Sequence, residues 1–497
     1  MNTYMRALIK ILICNLLVCG LVGCTSETSQ LYDALVNRNY DGIKHAADRG
    51  TDLDHIAIDG VSMNPILYLW KSSPRPLFIE QILKSGGNAN YEDEDGNTLL
   101  MYASGYQPQD YGFESVSGHY STLDYCKLFL QYGADVTQKN KKGWTALDYA
   151  VQLQDDYPTV ELLLKHGAVV TPQVLSNAFN STNDSYTDYR KIRLLVQQSE
   201  LSQVGTIISP ILSAAIRGVN DEVQMLAPQA TTLSTNEKLQ TLCYAVAFCD
   251  SDTVQMLIAD NFGTINSIDA TDNTLLEIAA AHNNDSVLTF LLTQKAWNDD
   301  VCKSALNQAV SNDCTKTCYL LLNSGTPVTT ESVEQWEVFD NIMDCAAQNG
   351  NVEIIQMLIQ HGYPVTSSTA WYAMKNAAMC GQTAVIQYWV SLGYNPDYNA
   401  DNTNGDTSVL YDACLAEQLE TVQYLLDIGC QVNAARKCLP AAVETGNIEL
   451  VRLLLKYGAA VDETTVYEDG SKDFTAKEVA EQNGFGEIMT LLEEHQR

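Results

Sequence analysis

The sequence predicts an all-α fold made of stacked helix–turn–helix repeats. Residues 345–365 and 376–396 align without gaps, and residues 441–461 fall into the same frame. In each stretch the second half carries apolar residues at i, i+3 and i+4, which is the spacing of one helical face. A helix pair of this length cannot bury its own apolar face, so we expect each pair to stack on its neighbours.

Each unit divides into two short helices with characteristic residues. The first helix carries adjacent small residues, such as Ala346 and Ala347, which allow a close approach to the neighbouring unit. The second helix ends at a glycine, where a left-handed C-cap conformation forms easily. In several units a turn and a threonine precede the first helix, as in GNTLLMYA (96–103) and GWTALDYA (143–150).

These features resemble the ankyrin repeat. A repeat of that family has a turn, called the finger, then a first helix with the pattern G-x-T-x-L-x-x-A-A, and a second helix ending L-L-L-x-x-G-A-x-V. Close matches are LLLKHGAVV (162–170) and LLLKYGAAV (453–461). The resemblance implies an all-α ankyrin-repeat solenoid of about 13–14 repeats over residues 31–497. Units within about 171–340 lack the Gly-Thr pair, so we expect irregular stacking there. Residues 470–497, with a polar last turn, are expected to form a capping repeat.

The N-terminal segment predicts export and lipid attachment. Residues 1–23 combine a basic start, a short apolar core and small residues at the end, as in a signal peptide. Leu21-Val22-Gly23-Cys24 resembles the lipobox of bacterial lipoproteins, which implies lipidation and cleavage at Cys24. Residues 24–30 would then form a short tether, and Thr25, which is not Asp, favours the outer membrane. An uncleaved membrane anchor is the alternative.

The composition indicates a folded, strongly acidic protein. Apolar residues make up 46% of the 497 positions, which is ample for a large core. There are 61 Asp and Glu against 29 Lys and Arg, giving a formal charge of −32. Such a surface repels nucleic-acid backbones and favours a basic protein partner.

Three consecutive units carry extra residues between their two helices, at 105–121, 154–158 and 180–190. Equivalent loops of adjacent repeats emerge on one edge, and all three contain tyrosine, which offers a rigid contact surface with a hydroxyl. The loops are either an aromatic partner-binding edge or a cover over the helix ends. The candidate binding residues are Tyr106, Tyr111, Phe113, Tyr120, Tyr157, Tyr186 and Tyr189.

Several fingers are acidic, namely residues 91–96, 395–408 and 462–474. In ankyrin proteins the fingers and first helices form the concave binding face, so acidic fingers would attract a basic partner. Solvated charge with no partner is the alternative interpretation. None of the three segments has the ligand spacing of an EF-hand, so we expect no calcium site.

The sequence offers little evidence for catalysis, so we expect no enzymatic activity, cofactor or small-molecule substrate. No phosphate-binding loop, G-x-S-x-G, H-E-x-x-H or dinucleotide fingerprint is present. Of 14 cysteines, 11 follow Cys24, and most occupy core positions of the repeat. They favour packing as small apolar residues over disulfides, and disulfides over a metal site.

The sequence therefore predicts an anchored scaffold or adaptor in the bacterial envelope that binds another protein. A periplasmic immunity protein or inhibitor of a toxin or enzyme is the main alternative. A redox or metal protein using the cysteines and an effector delivered into a host cell are less favoured.

Overall fold

The fold was analysed in a computed structural model, which describes residues 27–58, 61–72, 75–105, 121–153, 157–181, 189–200, 204–205, 207–328, 342–398, 408–433, 438–462 and 474–496. Over these residues the chain forms fourteen consecutive helix pairs. The all-α repeat fold predicted from the sequence is confirmed. We number the helices so that each odd helix is the first of its pair and the next even helix is the second.

The first seven pairs are α1 (Glu27–Val36) with α2 (Tyr40–Asp48), α3 (Pro65–Ser72) with α4 (Pro76–Lys84), α5 (Leu99–Ala103) with α6 (Thr122–Gln131), α7 (Ala146–Ala150) with α8 (Tyr157–Lys165), α9 (Pro172–Ser181) with α10 (Tyr189–Gln197), α11 (Pro210–Arg217) with α12 (Asn220–Leu226), and α13 (Thr235–Phe248) with α14 (Ser251–Ala259).

The last seven pairs are α15 (Leu275–Ala281) with α16 (Asp285–Gln294), α17 (Asp299–Ser311) with α18 (Thr315–Asn323), α19 (Ile342–Asn349) with α20 (Val352–Gln360), α21 (Ser367–Met379) with α22 (Thr383–Ser391), α23 (Val409–Leu415) with α24 (Leu419–Asp427), α25 (Cys438–Thr445) with α26 (Ile448–Lys456), and α27 (Ala476–Asn483) with α28 (Gly486–His495).

The chain divides into two compact units, the first comprising residues 1–91 and 482–484. In the first unit, the finger between pairs 1 and 2 forms a small antiparallel hairpin that the sequence analysis did not predict. Its strands are β1 (Ile56–Ile58) and β2 (Val61–Met63), with Ile56 opposite Met63. Helix α1 begins at Glu27, so residues 27–30 of the expected tether are helical rather than extended.

The second unit, residues 92–481 and 485–497, is built by stacking like helices on like. First helices contact the next first helices from α11 through α25, and second helices do the same from α12 through α24. Ala346, Ala347, Ala377 and Ala378 are fully buried between neighbouring first helices. Small side chains at these positions let helix axes approach closely, and the apolar faces are buried as a continuous core.

Irregular stacking is visible around pair 5, where the second helix α10 also contacts α11, the first helix of the next pair. In pairs 7 and 9 the first helices α13 and α17 have 14 and 13 residues, against five in α5 and α7. Ser234 and Asn298 cap these long helices early, and their side chains accept the hydrogen bonds of the first turn. The residues that form these extra helical turns correspond to the segment that forms a finger before the short helices α5 and α7.

Left-handed residues follow most of the described second helices. Gly362 and Gly393 have φ of +93° and +90°, and Asn261 takes the corresponding position in pair 7 with φ of +61°. Asparagine tolerates this conformation better than other non-glycine residues, so pair 7 ends in the same way without a glycine.

We predict that Gly393→Ala lowers the free energy of unfolding by about 1–2 kcal/mol, because alanine strains the left-handed backbone. Steric overlap does not contribute, since no atom lies within 4 Å of a Cβ placed at Gly393. Gly393→Asn is the matched control and should cost less than the alanine variant, as measured by urea unfolding. Equal losses in the two variants would contradict the conformational explanation.

Candidate protein-binding surface

The finger that precedes α5 is held by a carboxylate at its base. Asp93 accepts hydrogen bonds from the backbone N–H of Asp95 and Asn97, at 2.9 and 2.8 Å, and from the Tyr102 hydroxyl at 2.8 Å. Burial raises the pKa of Asp93, but the hydrogen bonds from Asn97 and Tyr102 outweigh it and leave the pKa lowered. The base of the finger is therefore fixed, and Glu94 and Asp95 at its tip are exposed.

The next finger, which precedes α7, uses an asparagine in the same place. The Asn140 side chain accepts from the Trp144 N–H at 3.0 Å and donates to the Tyr149 hydroxyl at 2.8 Å. It also donates to Asn97 of the preceding finger at 2.8 Å, which joins the two fingers. The tip of this finger is basic, because Lys139, Lys141 and Lys142 are all exposed.

The finger that precedes α15 repeats this arrangement with one exchange. Asp269 accepts from the backbone N–H of Thr271 and Asn273, each at 2.9 Å. The position of Tyr102 and Tyr149 is held by Ile278, which has no hydroxyl. The hydroxyl comes instead from Tyr189, at the start of α10, whose Oη lies 3.0 Å from Asp269 Oδ2. A residue of pair 5 thus completes the finger of pair 8.

The first turns of α10 lie against the first helices of pairs 7 and 8. The Tyr189 ring centroid lies 4.7 Å from that of Tyr244 in α13 and 5.0 Å from that of His282, the C-cap of α15. One turn later, the Arg193 guanidinium lies 4.4 Å above the Phe248 ring. This side of pairs 7 and 8 is covered by the chain's own helix.

His282 lies in an unusual electrostatic environment. Burial, followed by the nearby Arg190 and Arg193 guanidinium groups, lowers its pKa to about 3, and Asp269 only partly opposes them. The imidazole is therefore neutral at physiological pH. Its Nδ1 atom is buried and has no hydrogen-bond partner among the described residues.

The first helices of pairs 10 to 12 carry a polar network that links side chains of adjacent pairs. Lys375 Nζ lies 3.6 Å from Asp412 Oδ2 and 4.5 Å above the Trp371 ring. The Gln348 amide donates to Asn376 at 3.1 Å. Burial raises the pKa of Asp344 to about 6, against a hydrogen bond from Asn376 that lowers it.

Two of the tyrosines predicted to bind a partner are described. Tyr157 begins α8, is half-buried and lies under the Arg190 guanidinium at 5.6 Å. Tyr189 is only 4% exposed, so its ring contacts the chain itself and offers no surface to a partner. The other predicted residues, Cys24, Tyr106, Tyr111, Phe113, Tyr120 and Tyr186, lie outside the described residues, as do most of the fingers predicted at 395–408 and 462–474.

The sequence analysis did not single out Asp269, His282 or Arg193. The sequence does contain one local indication of this site. Ile278 stands at the repeat position that is tyrosine in pairs 3 and 4. That difference shows that a hydroxyl is missing, but it does not reveal which distant residue supplies it.

Eleven cysteines are described, and all are free thiols. Seven of them are buried: Cys126, Cys243, Cys249, Cys314, Cys318, Cys414 and Cys438. Burial raises the pKa of Cys249 and of Cys318 to about 12, so both stay protonated near neutral pH, unlike reactive thiols.

Among the described residues, no group of three or more His, Cys, Asp or Glu side chains is placed to hold a metal ion. No described helix is long and apolar enough to cross a membrane.

The repeats and their fingers define the class of the protein: a helical repeat fold that typically mediates protein–protein interaction. Residues 73–174 and 342–436 match the profile of the family described as ankyrin repeats (3 copies), so these two segments carry ankyrin repeats.

Two known proteins resemble parts of the chain. The ankyrin repeat and KH domain-containing protein mask-1 of Caenorhabditis elegans is 26% identical over 302 residues, which cover 58% of this chain and 11% of that protein. The chain therefore spans about a tenth of this relative's length. The crystal structure of the human ASB11 ankyrin repeat domain is 20% identical, covers 44% of this chain and 96% of that chain, and has a TM-score of 0.37.

We predict that Tyr189→Phe weakens the finger of pair 8 while keeping the ring contacts. The lost hydrogen bond to a carboxylate should cost about 1.5–3 kcal/mol. Hydrogen exchange should rise in residues 269–273, where the backbone N–H groups of Thr271 and Asn273 donate to Asp269. Tyr319→Phe, at a tyrosine that is 55% exposed, is the control. Unchanged exchange in the Tyr189 variant would show that the other hydrogen bonds of Asp269 suffice.

We predict that His282 makes stability depend on pH. Its folded-state pKa of about 3 lies below the ordinary value of 6.5, so the unfolded chain binds the proton more tightly. Stability is complete above pH 6.5 and is lost as the pH falls toward about 3, with a loss of about 2 kcal/mol at pH 5. His282→Gln should remove this component.

The measurement is urea unfolding of wild type and variant at pH 7.5 and pH 5. The stability difference between them should change by about 2 kcal/mol from one pH to the other. His166→Gln, which alters an exposed histidine, is the matched control. A difference that is the same at both pH values would contradict the assignment.

Proposed function

We propose that the chain is a lipid-anchored adaptor of the bacterial envelope that binds a basic protein partner through its fingers. The observation that carries this proposal is the finger at 91–96. One carboxylate, Asp93, is used to fix its base, and Glu94 and Asp95 are exposed at the tip. The net charge of −32 supports the choice of a basic partner, because it would steer such a partner toward the surface.

The neighbouring finger restricts the pattern of charge expected on the partner's surface. Its exposed Lys139, Lys141 and Lys142 stand beside the acidic finger, and the Lys141 N–H donates to the Asp95 carbonyl at 2.9 Å. A partner that covers both fingers would place basic groups on the first and acidic groups on the second. Such a pattern favours one docking register over others.

The proposed location rests on the sequence alone. Residues 1–23 act as the signal peptide and Cys24 carries the lipid, with the outer membrane favoured. Because α1 begins at Glu27, only two residues separate Cys24 from the first helix. The first pair would then lie close to the membrane surface.

The test is photo-cross-linking in intact cells, followed by identification of the captured protein. Glu94→Lys with Asp95→Lys should reduce capture of a basic protein about tenfold or more, because two attractive charges become repulsive. The matched control is Glu353→Lys with Glu420→Lys, which makes the same change of charge on exposed second-helix positions. Equal loss in both variants would point to net charge rather than the finger.

Two further arms of the experiment separate the parts of the proposal. Cys24→Ser should move the protein into the soluble fraction, whereas Cys19→Ser, within the signal, should not. Retention of the Cys24 variant in the membrane would overturn the lipid anchor. A captured toxin or enzyme whose activity is blocked would identify the chain as an immunity protein or inhibitor.

A further inference from the structure

Two arginines at the start of α10 have no carboxylate partner among the described residues. Arg190 is exposed and lies 5.6 Å from the Tyr157 ring centroid, and Arg193 lies above Phe248. In a chain with 61 acidic residues and 29 basic ones, two arginines one helical turn apart that form no ion pair with any described residue are unexpected. Both lie close enough to His282 to influence its ionisation.

Asp269, the carboxylate that acts on His282, is already engaged. Its two oxygens accept from the Tyr189 hydroxyl, from the backbone and hydroxyl of Thr271, and from the backbone and amide of Asn273. A carboxylate has about four acceptor positions. Asp269 therefore has no capacity left for a guanidinium group.

Buried polar atoms at this place also have no hydrogen-bond partner. Arg193 Nε and His282 Nδ1 are buried and unpartnered within the described part of the chain. The remaining contact of Arg193, to the Arg217 carbonyl, is long at 3.5 Å. Buried donors are nearly always satisfied in folded proteins, so unsatisfied ones next to two positive charges indicate a missing acceptor.

We propose that Arg190, Arg193 and His282 form a binding site for a carboxylate group. The planar guanidinium groups of arginine match carboxylate oxygens with paired hydrogen bonds. The Tyr189 ring, edge-on to His282, and the tilted Phe248 ring hold the imidazole in place. The carboxylate belongs either to a free organic acid or to an acidic residue or C-terminus of a bound protein. The proposal does not depend on the lipid anchor or on the acidic finger.

The test is a titration of the purified full chain with citrate, followed by NMR of the histidine rings at constant ionic strength. The chain has seven histidines, and His282→Gln identifies the relevant signal. Citrate should shift the His282 signal and saturate. Arg190→Gln and Arg193→Gln should each weaken binding about tenfold or more, since each removes a charge-assisted hydrogen bond.

The controls keep the test decisive. Arg190 is exposed, so its variant should keep the fold even if the Arg193 variant does not. Arg452→Gln, an arginine in α26, should bind citrate as the wild type does. A His282 signal that does not move, or that shifts equally in the Arg190 variant, would overturn the site.

Two further probes define the ligand. A short peptide with a free C-terminus is compared with its C-terminal amide and with citrate. Tighter binding of the free-acid peptide would support a carboxylate on a partner protein, and tighter binding of citrate would support a free organic acid. Saturable binding of inorganic phosphate without binding of either carboxylate would overturn the assignment to carboxylates.

Discussion

In the second unit the helix pairs bury most of their apolar faces against neighbouring pairs, and this constraint fixes the spacing on which the fingers depend. Fully buried alanines such as Ala346 and Ala377 set a short distance between first helices. At that distance polar side chains of adjacent pairs come within hydrogen-bond reach, as between Asn140 and Asn97 at 2.8 Å. The candidate binding surface is therefore a consequence of core packing, because fingers held by one another keep their charges at fixed positions.

The finger bases show how one requirement is met in two ways. A polar residue at the base must be satisfied because it is largely buried, and a tyrosine hydroxyl helps to satisfy it in each case. Tyr102 and Tyr149 belong to the pair that they support, whereas Tyr189 supports a finger 80 residues further along the chain. This substitution ties pair 5 to pair 8, which nearest-neighbour stacking alone would not connect.

The sequence predicted what depends on local spacing. The helical periodicity, the paired alanines and the glycines at the ends of second helices predicted the repeats. Asn261 ends its helix in the same left-handed conformation as those glycines. The sequence did not predict that residues 27–30 are helical or that Tyr189 is buried. Residues 27–30 end the predicted tether, and Tyr189 lies near the end of the loop predicted at 180–190. The partner of Tyr189 is set by how the two intervening helix pairs stack, and that geometry is not encoded in any short stretch of residues.

The residues of α10 differ in how far the fold explains them. Tyr189 completes a finger, and the buried Lys191 donates to the Leu153 carbonyl at 2.8 Å. Arg193 packs on Phe248, but its Nε has no acceptor among the described residues. Arg190 is exposed, lowers the pKa of a neutral histidine and forms no described ion pair. Since burying or crowding positive charge without a counterion is unfavourable, a ligand that brings negative charge gives Arg190 a role that folding does not.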